Sequence, residues 1–494
     1  MGWASQTTRV PFDEWRPDLP YTDVPAIERA LNVVPGRFAY EPFSKLEDAS
    51  SGSIDSECRG AVSATRQDET VAVIAGDATK LYLLSGAGGV FSDISRTAGY
   101  ALGATSEESW QFAQFGERVI ATSNTDNVQS IDISTATGTA ADLAGSPPRA
   151  RHVATVRDFV VLANTDTNRR EVRWSGINDP EQWTPGTDQS GGQILPDNGV
   201  ITGLVGGEVL YVFQETAINR FQYVGTPLIF QRDQISSNLG CIAGKTIVKV
   251  GAKVFFLAED GFFMLENDQI TPIGNEKVDN TFLADLNNAF RYKITAAADP
   301  LRKVVLWSYP SCASQGAGEP DKVICYNWAT GTWSEAEYAV QAIFEIHSPG
   351  YTLDSLDSLS SSLDSLGFSL DSPTLRAGAL CLAGFTTEGR MGFFMGKSLE
   401  ATLETKEFAA PAGRISVKEA YPIVDAANCT VSIGTRERVS DSVVYTTPQA
   451  VDADNKADVR SNGRFVRARI VIPEDEEWTR AQAVEMTTSK QGRR

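Results

Sequence analysis

"ETVAVIAGDATKLYLLSG", residues 69–86, contains the pattern that decides the fold: an apolar strand, a polar turn and a second apolar strand. Later stretches repeat this pattern: 116–133, 157–176, 207–225, 252–268, and 302–310 paired with 321–333. The apolar runs are rich in Val, Ile, Phe and Tyr, and the turns carry Gly, Asn, Asp and Thr. Because these are the residues of short strands and tight turns, we predict an all-β fold.

The spacing of the hairpins indicates which all-β fold to expect. Six valines, one in the first strand of each hairpin, follow one another at steps of 41 to 50 residues: Val71, Val119, Val160, Val209, Val254 and Val304. Four-stranded propeller blades repeat every ~40–50 residues. A β-sandwich is the main alternative, but it imposes no unit of near-constant length. The prediction is therefore a β-propeller of about six blades.

The rest of the chain divides around these hairpins. Residues 1–60 are predicted to form an extended N-terminal arm, and the blades occupy 61–350. A Leu-Asp-Ser insertion covers 351–373, and 374–399 supplies a closing hairpin of the propeller. Residues 400–494 are predicted to form a C-terminal β domain.

The arm is inferred from the stretch 11–43, which holds six prolines and little periodicity. Prolines favour extended backbone, so the arm is expected to lie on a surface of this chain or of a neighbouring subunit. We also expect that deleting the first 43 residues spares the fold but weakens ring formation.

The C-terminal domain is predicted to be sandwich-like because its strands alternate without the blade period. In "GRFVRARIVI" (463–472), apolar side chains point to one side of the strand. Arg467 and Arg469 point to the other side, which is the alternation of a half-buried strand.

The charge balance limits the possible partners. The 494-residue chain has 63 acidic and 44 basic residues, a net charge of −19. Tight DNA binding is therefore not expected, since clustered lysines and arginines drive it; passage of DNA is still allowed. No stretch approaches the ~18 apolar residues of a membrane span, so membrane insertion is not expected. Six scattered cysteines and an N-terminus without a leader pattern favour synthesis in the cytoplasm.

Catalytic motifs are absent from the sequence. "GCIAGKT" (240–246) and "GFFMGKS" (392–398) resemble phosphate-binding loops, but each has three residues between the glycines where that loop has four. Both are predicted to be hairpin turns. His152 and His347 are the two histidines, and neither belongs to a zinc or serine-hydrolase motif. We predict no enzyme activity, no catalytic residue, no metal and no cofactor, while a glycosidase-like carboxylate pair in the propeller stays open.

Stretches in sequence order along nearly the whole chain carry a family resemblance: "NVVPGRFAYEPF" (32–43), "SPPRARHVATVRDFVVLANT" (146–165), "VRWSGINDPEQWTPG" (172–186), the Leu-Asp-Ser triplets, "FFMGKSLEATLETKEF" (393–408) and "GRFVRARIVI" (463–472). Together they resemble the tail-hub, or nozzle, proteins of short-tailed bacteriophages, also called packaged-DNA stabilization proteins.

The resemblance implies a structural protein of the virion, synthesised in the cytoplasm of a bacterial host. It implies a β-propeller body assembled as a homo-oligomeric ring, typically a hexamer, below the portal and its adaptor protein. Such a ring retains packaged DNA, conducts it on ejection without tight binding, and carries tail fibres, spikes or a needle. The family supplies no catalytic residues to carry over.

Candidate assembly contacts come from four parts of the chain. They are Trp15, Pro17 and Tyr40 in the arm, Trp174, Asp179 and Trp183 around an Asn-Asp-Pro turn, Leu356 and Leu363 in the insertion, and Arg467 and Arg469 in the C-terminal domain. For Trp174 and Trp183, packing within a blade is the alternative to a subunit contact. Two other functions stay open for the whole chain, a propeller-fold enzyme acting on glycans and a monomeric propeller scaffold.

The insertion contains the stretch "YTLDSLDSLSSSLDSLGFSLDS" (351–372), whose leucines have the spacing of one helical face. Serine and aspartate fill the other positions and compete with the helical backbone. A docked short helix, a docked chain of turns and a disordered linker all remain open. We expect docking through the leucines, because exposed leucines would lose burial worth ~1.5–3 kcal/mol each.

Replacing Leu356, Leu359, Leu363 and Leu366 by Ser tests the docking of this insertion. If the leucines dock, limited proteolysis of assembled tails should cut faster around 351–372, and assembly should be poorer. Unchanged cleavage together with unchanged assembly would show that the insertion is only a tether.

Overall fold

The computed structural model describes residues 6–19, 26–84, 89–103, 107–135, 138–314, 316, 318–348, 380–409 and 413–491. The Leu-Asp-Ser insertion lies outside these ranges. Regular structure in the described part is almost entirely β, with one short helix, α1 (Asp279–Asp285), and two 3-10 turns (Gly244–Thr246 and Asn288–Lys293). No helix in these ranges is both long and apolar enough to span a membrane.

The N-terminal segment contains five strands. They are β1 (Gln6–Pro11), β2 (Ile27–Leu31), β3 (Val33–Pro35), β4 (Tyr40–Pro42) and β5 (Ser44–Ser53). Strand β3 pairs with β4, and the other strands also pair with distant parts of the chain.

Five blades follow, each a continuous stretch whose four strands pair antiparallel in sequence order. Blade 1 is β6 (Gly60–Thr65), β7 (Val71–Gly76), β8 (Leu81–Leu84) and β9 (Phe91–Asp93); blade 2 is β10 (Gln111–Phe115), β11 (Arg118–Thr122), β12 (Gln129–Asp132) and β13 (Ala141–Asp142). Blade 3 is β14 (Ala150–Val156), β15 (Phe159–Thr165), β16 (Glu171–Trp174) and β17 (Gly191–Ile194). Blade 4 is β18 (Ile201–Val205), β19 (Leu210–Gln214), β20 (Ile218–Gly225) and β21 (Ile229–Ser236); blade 5 is β22 (Val248–Val250), β23 (Lys253–Ala258), β24 (Gly261–Glu266) and β25 (Gln269–Pro272).

Two further blades complete the ring. Blade 6 is β26 (Thr295–Asp299), β27 (Val304–Tyr309), β28 (Lys322–Asn327) and β29 (Thr332–Glu337). Blade 7 has β30 (Ala342–His347), β31 (Leu380–Phe385) and β32 (Arg390–Ser398), and β5 from the N-terminal segment is its outermost strand. The first strand of each blade faces the axis, and β30 of blade 7 packs against β6 of blade 1, so the ring is closed.

The C-terminal domain is a two-sheet sandwich. Its strands are β33 (Ala401–Thr405), β34 (Phe408–Ala409), β35 (Arg414–Val424), β36 (Thr430–Arg436), β37 (Val444–Tyr445), β38 (Gln449–Ala450), β39 (Ser461–Gly463), β40 (Phe465–Ile472) and β41 (Ala481–Gln491). One sheet has the order β3-β4-β41-β35-β39, with β1 also paired to β41. The other sheet runs β2-β33-β40-β36-β37, and β2 pairs in parallel with β29, so this sheet continues blade 6.

The predicted all-β propeller with a C-terminal sandwich is confirmed, and its blade count is seven where about six were predicted. The sequence repeat counts only hairpins that lie within one stretch of chain. Blade 7 escapes that count because residues 348–379 separate β30 from β31 and because β5 comes from the other end of the chain.

Two local predictions are corrected by the strand positions. "GCIAGKT" (240–246) is the link between blades 4 and 5, and contains the 3-10 turn Gly244–Thr246. "GFFMGKS" (392–398) lies inside strand β32. Neither stretch is a hairpin turn, because the first joins two blades and the second is paired with β5 as a strand of blade 7.

The expectation that the first 43 residues are dispensable for the fold is also wrong. Ile27, Ala30 and Val33 have no exposed surface, and Phe43 is almost fully buried. Each buried aliphatic or aromatic side chain of this size is worth ~1.5–3 kcal/mol, so deletion of this segment would unfold part of the core.

An aromatic cluster joins blades 5 and 6. The ring centroid of Phe262 lies 4.7 Å from that of Trp307 and 5.1 Å from that of Trp333. The indole N–H of Trp307 donates to the carbonyl of Thr246 at 3.0 Å, so the buried polar atom is satisfied. All three rings are fully buried. This cluster is the centre of the largest core of the molecule.

The Phe262→Ala substitution should lower the free energy of unfolding by ~3–5 kcal/mol, because it removes a fully buried ring from this cluster. The matched control is Phe38→Ala, since the Phe38 side chain is 81% exposed at the β3–β4 turn. That control should change the unfolding free energy by less than about 0.5 kcal/mol. Urea denaturation followed by tryptophan fluorescence measures both, and equal shifts would contradict the packing described above.

Candidate assembly site

The arm residues Trp15, Pro17 and Tyr40 pack against other parts of the same chain. Trp15 and Tyr40 are buried and Pro17 is half-buried. The Tyr40 hydroxyl accepts the backbone N–H of Trp15 at 3.2 Å and donates to the carbonyl of Asp13 at 3.0 Å. Burial raises the pKa of Tyr40, so the phenol stays protonated. Trp15 and Tyr40 therefore leave almost no surface for a neighbouring subunit, and the structure does not support them as assembly contacts.

Charged residues fasten the arm to the chain between blades 5 and 6. Glu14 Oε1 lies 2.6 Å from Lys277 Nζ. The Asp18 carboxylate accepts the backbone N–H groups of Asn280 and Thr281, both at 2.8 Å. These two groups are in the first turn of α1, where the backbone leaves its N–H groups unpaired. The arm is thus part of the folded body over residues 6–19.

Trp174 and Trp183 anchor the surface loop between β16 and β17. Both side chains are buried; the indole N–H of Trp174 donates to the Gln189 carbonyl at 3.0 Å, and that of Trp183 donates to the Pro180 carbonyl at 2.8 Å. The two tryptophans therefore pack within the chain, which was the alternative to a subunit contact. Asp179 is exposed on this loop and is the only one of the three that reaches the surface.

Arg467 and Arg469 belong to a network on the face of β40 opposite to the sandwich core. The Arg469 guanidinium lies 3.6 Å from the ring centroid of Tyr445 and donates to Glu404. The Tyr445 hydroxyl donates to the same carboxylate at 2.9 Å, and burial raises the pKa of Tyr445 to about 12. Arg467 Nη1 lies 3.5 Å from Glu28 Oε1 of β2. Arg467 thus joins the N-terminal segment to the sandwich, and both arginines are engaged by residues of their own chain.

Leu356 and Leu363 fall outside the described residues, so their predicted role stays a prediction. Among the described residues, no group of three or more His, Cys, Asp or Glu side chains is placed to hold a metal ion.

Sequence reasoning missed an exposed apolar pair at the tip of the β20–β21 hairpin. Val224 is 48% exposed and Leu228 is 59% exposed. The signal was available in "YVGTPLIF" (223–230), where apolar residues stand beside Gly and Pro, residues typical of a turn. Exposed apolar side chains that lie together are candidates for a protein contact.

The Glu404→Gln substitution should destabilise the chain by about 1–3 kcal/mol, because it removes the buried carboxylate that the Arg469 guanidinium and the Tyr445 hydroxyl share. The matched control is Glu437→Gln, whose carboxylate pairs with Arg414 where both side chains are about half exposed. Exposed pairs contribute about 0–1 kcal/mol, so the control should change stability little. Urea midpoints of the two variants should differ clearly, and equal midpoints would refute a structural role for the Glu404 network.

Comparisons with known proteins bear on the fold alone. No protein-family model matches the chain, and no curated protein matches it. Among solved structures, it is similar to the β-propeller domain of Cps50 (Swd1) of Myceliophteria thermophila, with 9% identity, coverage of 71% of this chain and 98% of that chain, and a TM-score of 0.40. It is also similar to BamB from Moraxella catarrhalis, with 11% identity, coverage of 78% and 96%, and a TM-score of 0.37. Similarities this low add nothing to the seven-bladed propeller that the strand pairing itself establishes.

Proposed function

We propose that this chain is a structural subunit of the tail of a short-tailed phage. Copies of it form a ring, the hub or nozzle, below the portal and its adaptor protein. The ring retains packaged DNA, conducts it on ejection and anchors tail appendages. The role is structural and not catalytic, and the working location is the virion. The observation that carries the proposal is the eleven-stranded sheet that runs from blade 6 through β2 into the sandwich.

This sheet supports a role in bearing mechanical force, because it strengthens the boundary between the propeller and the sandwich. Domains normally move against each other unless their interface is large and apolar. Here β2 pairs with β29 on one side and with β33 on the other, so backbone hydrogen bonds cross the boundary. One hydrophobic core also contains side chains of blades 5 and 6 and of both sandwich sheets. A subunit built in this way transmits force without a hinge.

The net charge of −19 is compatible with a conduit for DNA. Binding to DNA at physiological salt comes mainly from lysine and arginine contacts to phosphates. An acidic chain offers few such contacts, so DNA moving through the ring would not be held tightly.

A monomeric propeller that acts as a scaffold for other proteins is the second candidate. It is favoured by the propeller architecture itself, which presents broad surfaces for protein contacts and needs no second copy. The oligomeric state separates the two proposals.

The β20–β21 hairpin is the contact we assign to ring formation. Its strands, eight residues each, are the longest in the first five blades, and Val224 and Leu228 stand exposed at its tip. Burying this pair against a neighbouring subunit would recover part of the ~1.5–3 kcal/mol that each side chain loses in water.

The purified chain should have a solution mass of about six times 53.4 kDa by light scattering, and electron micrographs should show rings. The double substitution Val224→Ser and Leu228→Ser should weaken assembly at equal concentration. Leu301→Ser is the matched control, because Leu301 is also an exposed leucine but lies in the β26–β27 turn. A chain that stays monomeric at every concentration, alone and with a portal adaptor, would overturn the ring and favour the scaffold. Full assembly of the double variant would exclude the hairpin as the contact.

A further inference from the structure

The propeller encloses a polar cavity at its centre. One part, of about 300 Å³, is lined by the inner strands of six blades and by the 3-10 turn Gly244–Thr246. A second part, of about 310 Å³, adjoins it, since Gln111, Gly244 and Lys245 line both. Each part is much larger than the roughly 10–15 Å³ that one water needs, so the cavity has room for a small solute.

Lys245 is placed in this cavity by a fixed backbone. The Thr246 hydroxyl donates to the Ala243 carbonyl at 2.6 Å, which holds the turn. A side chain at Gly244 would begin 1.9 Å from the Thr202 carbonyl oxygen, so this position requires glycine. Lys245 is half-buried, and its ammonium forms no hydrogen bond or ion pair with the residues that the structure describes. A charged group in this position lacks a counterion.

The charges around the first part of the cavity are basic. Arg59 and Lys245 are the charged side chains that line it, although the chain as a whole is acidic. The nearby Glu57 carboxylate is engaged by Lys293 at 2.9 Å, and Lys293 also pairs with Glu319 at 2.9 Å. Burial lowers the pKa of Lys245 to about 8, so the ammonium is mostly charged at neutral pH.

Gln111 supplies a neutral donor beside Lys245. Its Oε1 lies 3.2 Å from His152 Nδ1, and because Oε1 can only accept, the imidazole N–H is the donor. The Gln111 amide nitrogen therefore points away from this bond, and it has no partner among the described residues. Burial lowers the pKa of His152 to about 3, so the imidazole stays neutral and keeps Gln111 in this orientation.

We propose that the first part of the central cavity binds one small oxyanion of the size of phosphate, with Lys245 as its counterion and with Gln111 as a further donor. Glu107 and Glu215 line the second part, whereas the first part supplies a charged and a neutral N–H donor and no carboxylate, which is the donor set that oxyanions need. An anion there would offset the cost of holding Lys245 charged inside the ring. The proposal does not depend on ring assembly or on a phage role.

Isothermal titration calorimetry of the full chain with sodium phosphate tests the site, with chloride at equal ionic strength as the background. The wild type should bind one phosphate per chain. Lys245→Met, which keeps the length of the side chain without its charge, should bind at least tenfold more weakly. Lys303→Met is the control, because Lys303 is exposed in the β26–β27 turn, and its binding should equal that of the wild type.

Gln111→Glu is the second variant, because it keeps an acceptor for His152 while it replaces the free amide donor with a carboxylate oxygen. It should also bind phosphate at least tenfold more weakly, with the circular dichroism spectrum of the wild type. Absence of phosphate binding in the wild type would mean that the cavity holds only water and would overturn the proposal. Unchanged affinity in both variants would overturn it equally, because the binding would then lie elsewhere.

Discussion

A propeller blade has two apolar faces and can bury neither of them alone. In β7, Val73 and Ala75 point towards blade 7, while Ala72 and Ile74 point towards blade 2. The same alternation recurs in every blade, and seven separate apolar contacts follow one another around the ring. Each contact stabilises two blades at once, so a gap anywhere would expose two faces. Closure of the ring is therefore the constraint on which the rest of the structure depends.

Closure explains the course of the N-terminal segment. Blade 7 lacks an outer strand of its own, and β5 provides it, pairing Phe393 with Glu47 and Phe394 with Leu46. To reach that place, the chain before β5 must cross blade 6, and it does so as β2 and β3. These strands leave one edge open to the sandwich, whose β33 pairs with β2. The sandwich is thus attached to the segment that closes the ring, which is why the two domains form one body.

The sequence reveals what is local and conceals what is distant. The blade repeat is visible because each hairpin places its apolar residues at period two within one short stretch. The seventh blade is concealed because its outermost strand, β5, pairs with β32 across more than 300 positions of sequence. The candidate sites show the same limit. Trp15 and Tyr40 are residue types found both in the core of a chain and at contacts between subunits, so the sequence does not tell which of the two they form. Alternation predicts that Arg467 and Arg469 point away from the core, but it does not predict that Glu404 and Tyr445 will meet them there.

At the centre of the ring, a stretch that does not match a binding motif still places a lysine in a distinct chemical environment. "GCIAGKT" (240–246) has the wrong glycine spacing for a phosphate loop, and no long helix follows it. By local rules it carries no site. Ring closure nevertheless brings the inner strands of six of the seven blades around this link, so Lys245 lies beside residues as distant as Arg59 and Phe344. The electrostatic environment of this lysine is set by the closed ring and not by its neighbours in sequence. Residues that link two blades at the axis are therefore the positions in a propeller where tertiary closure, rather than a motif, creates a chemical environment.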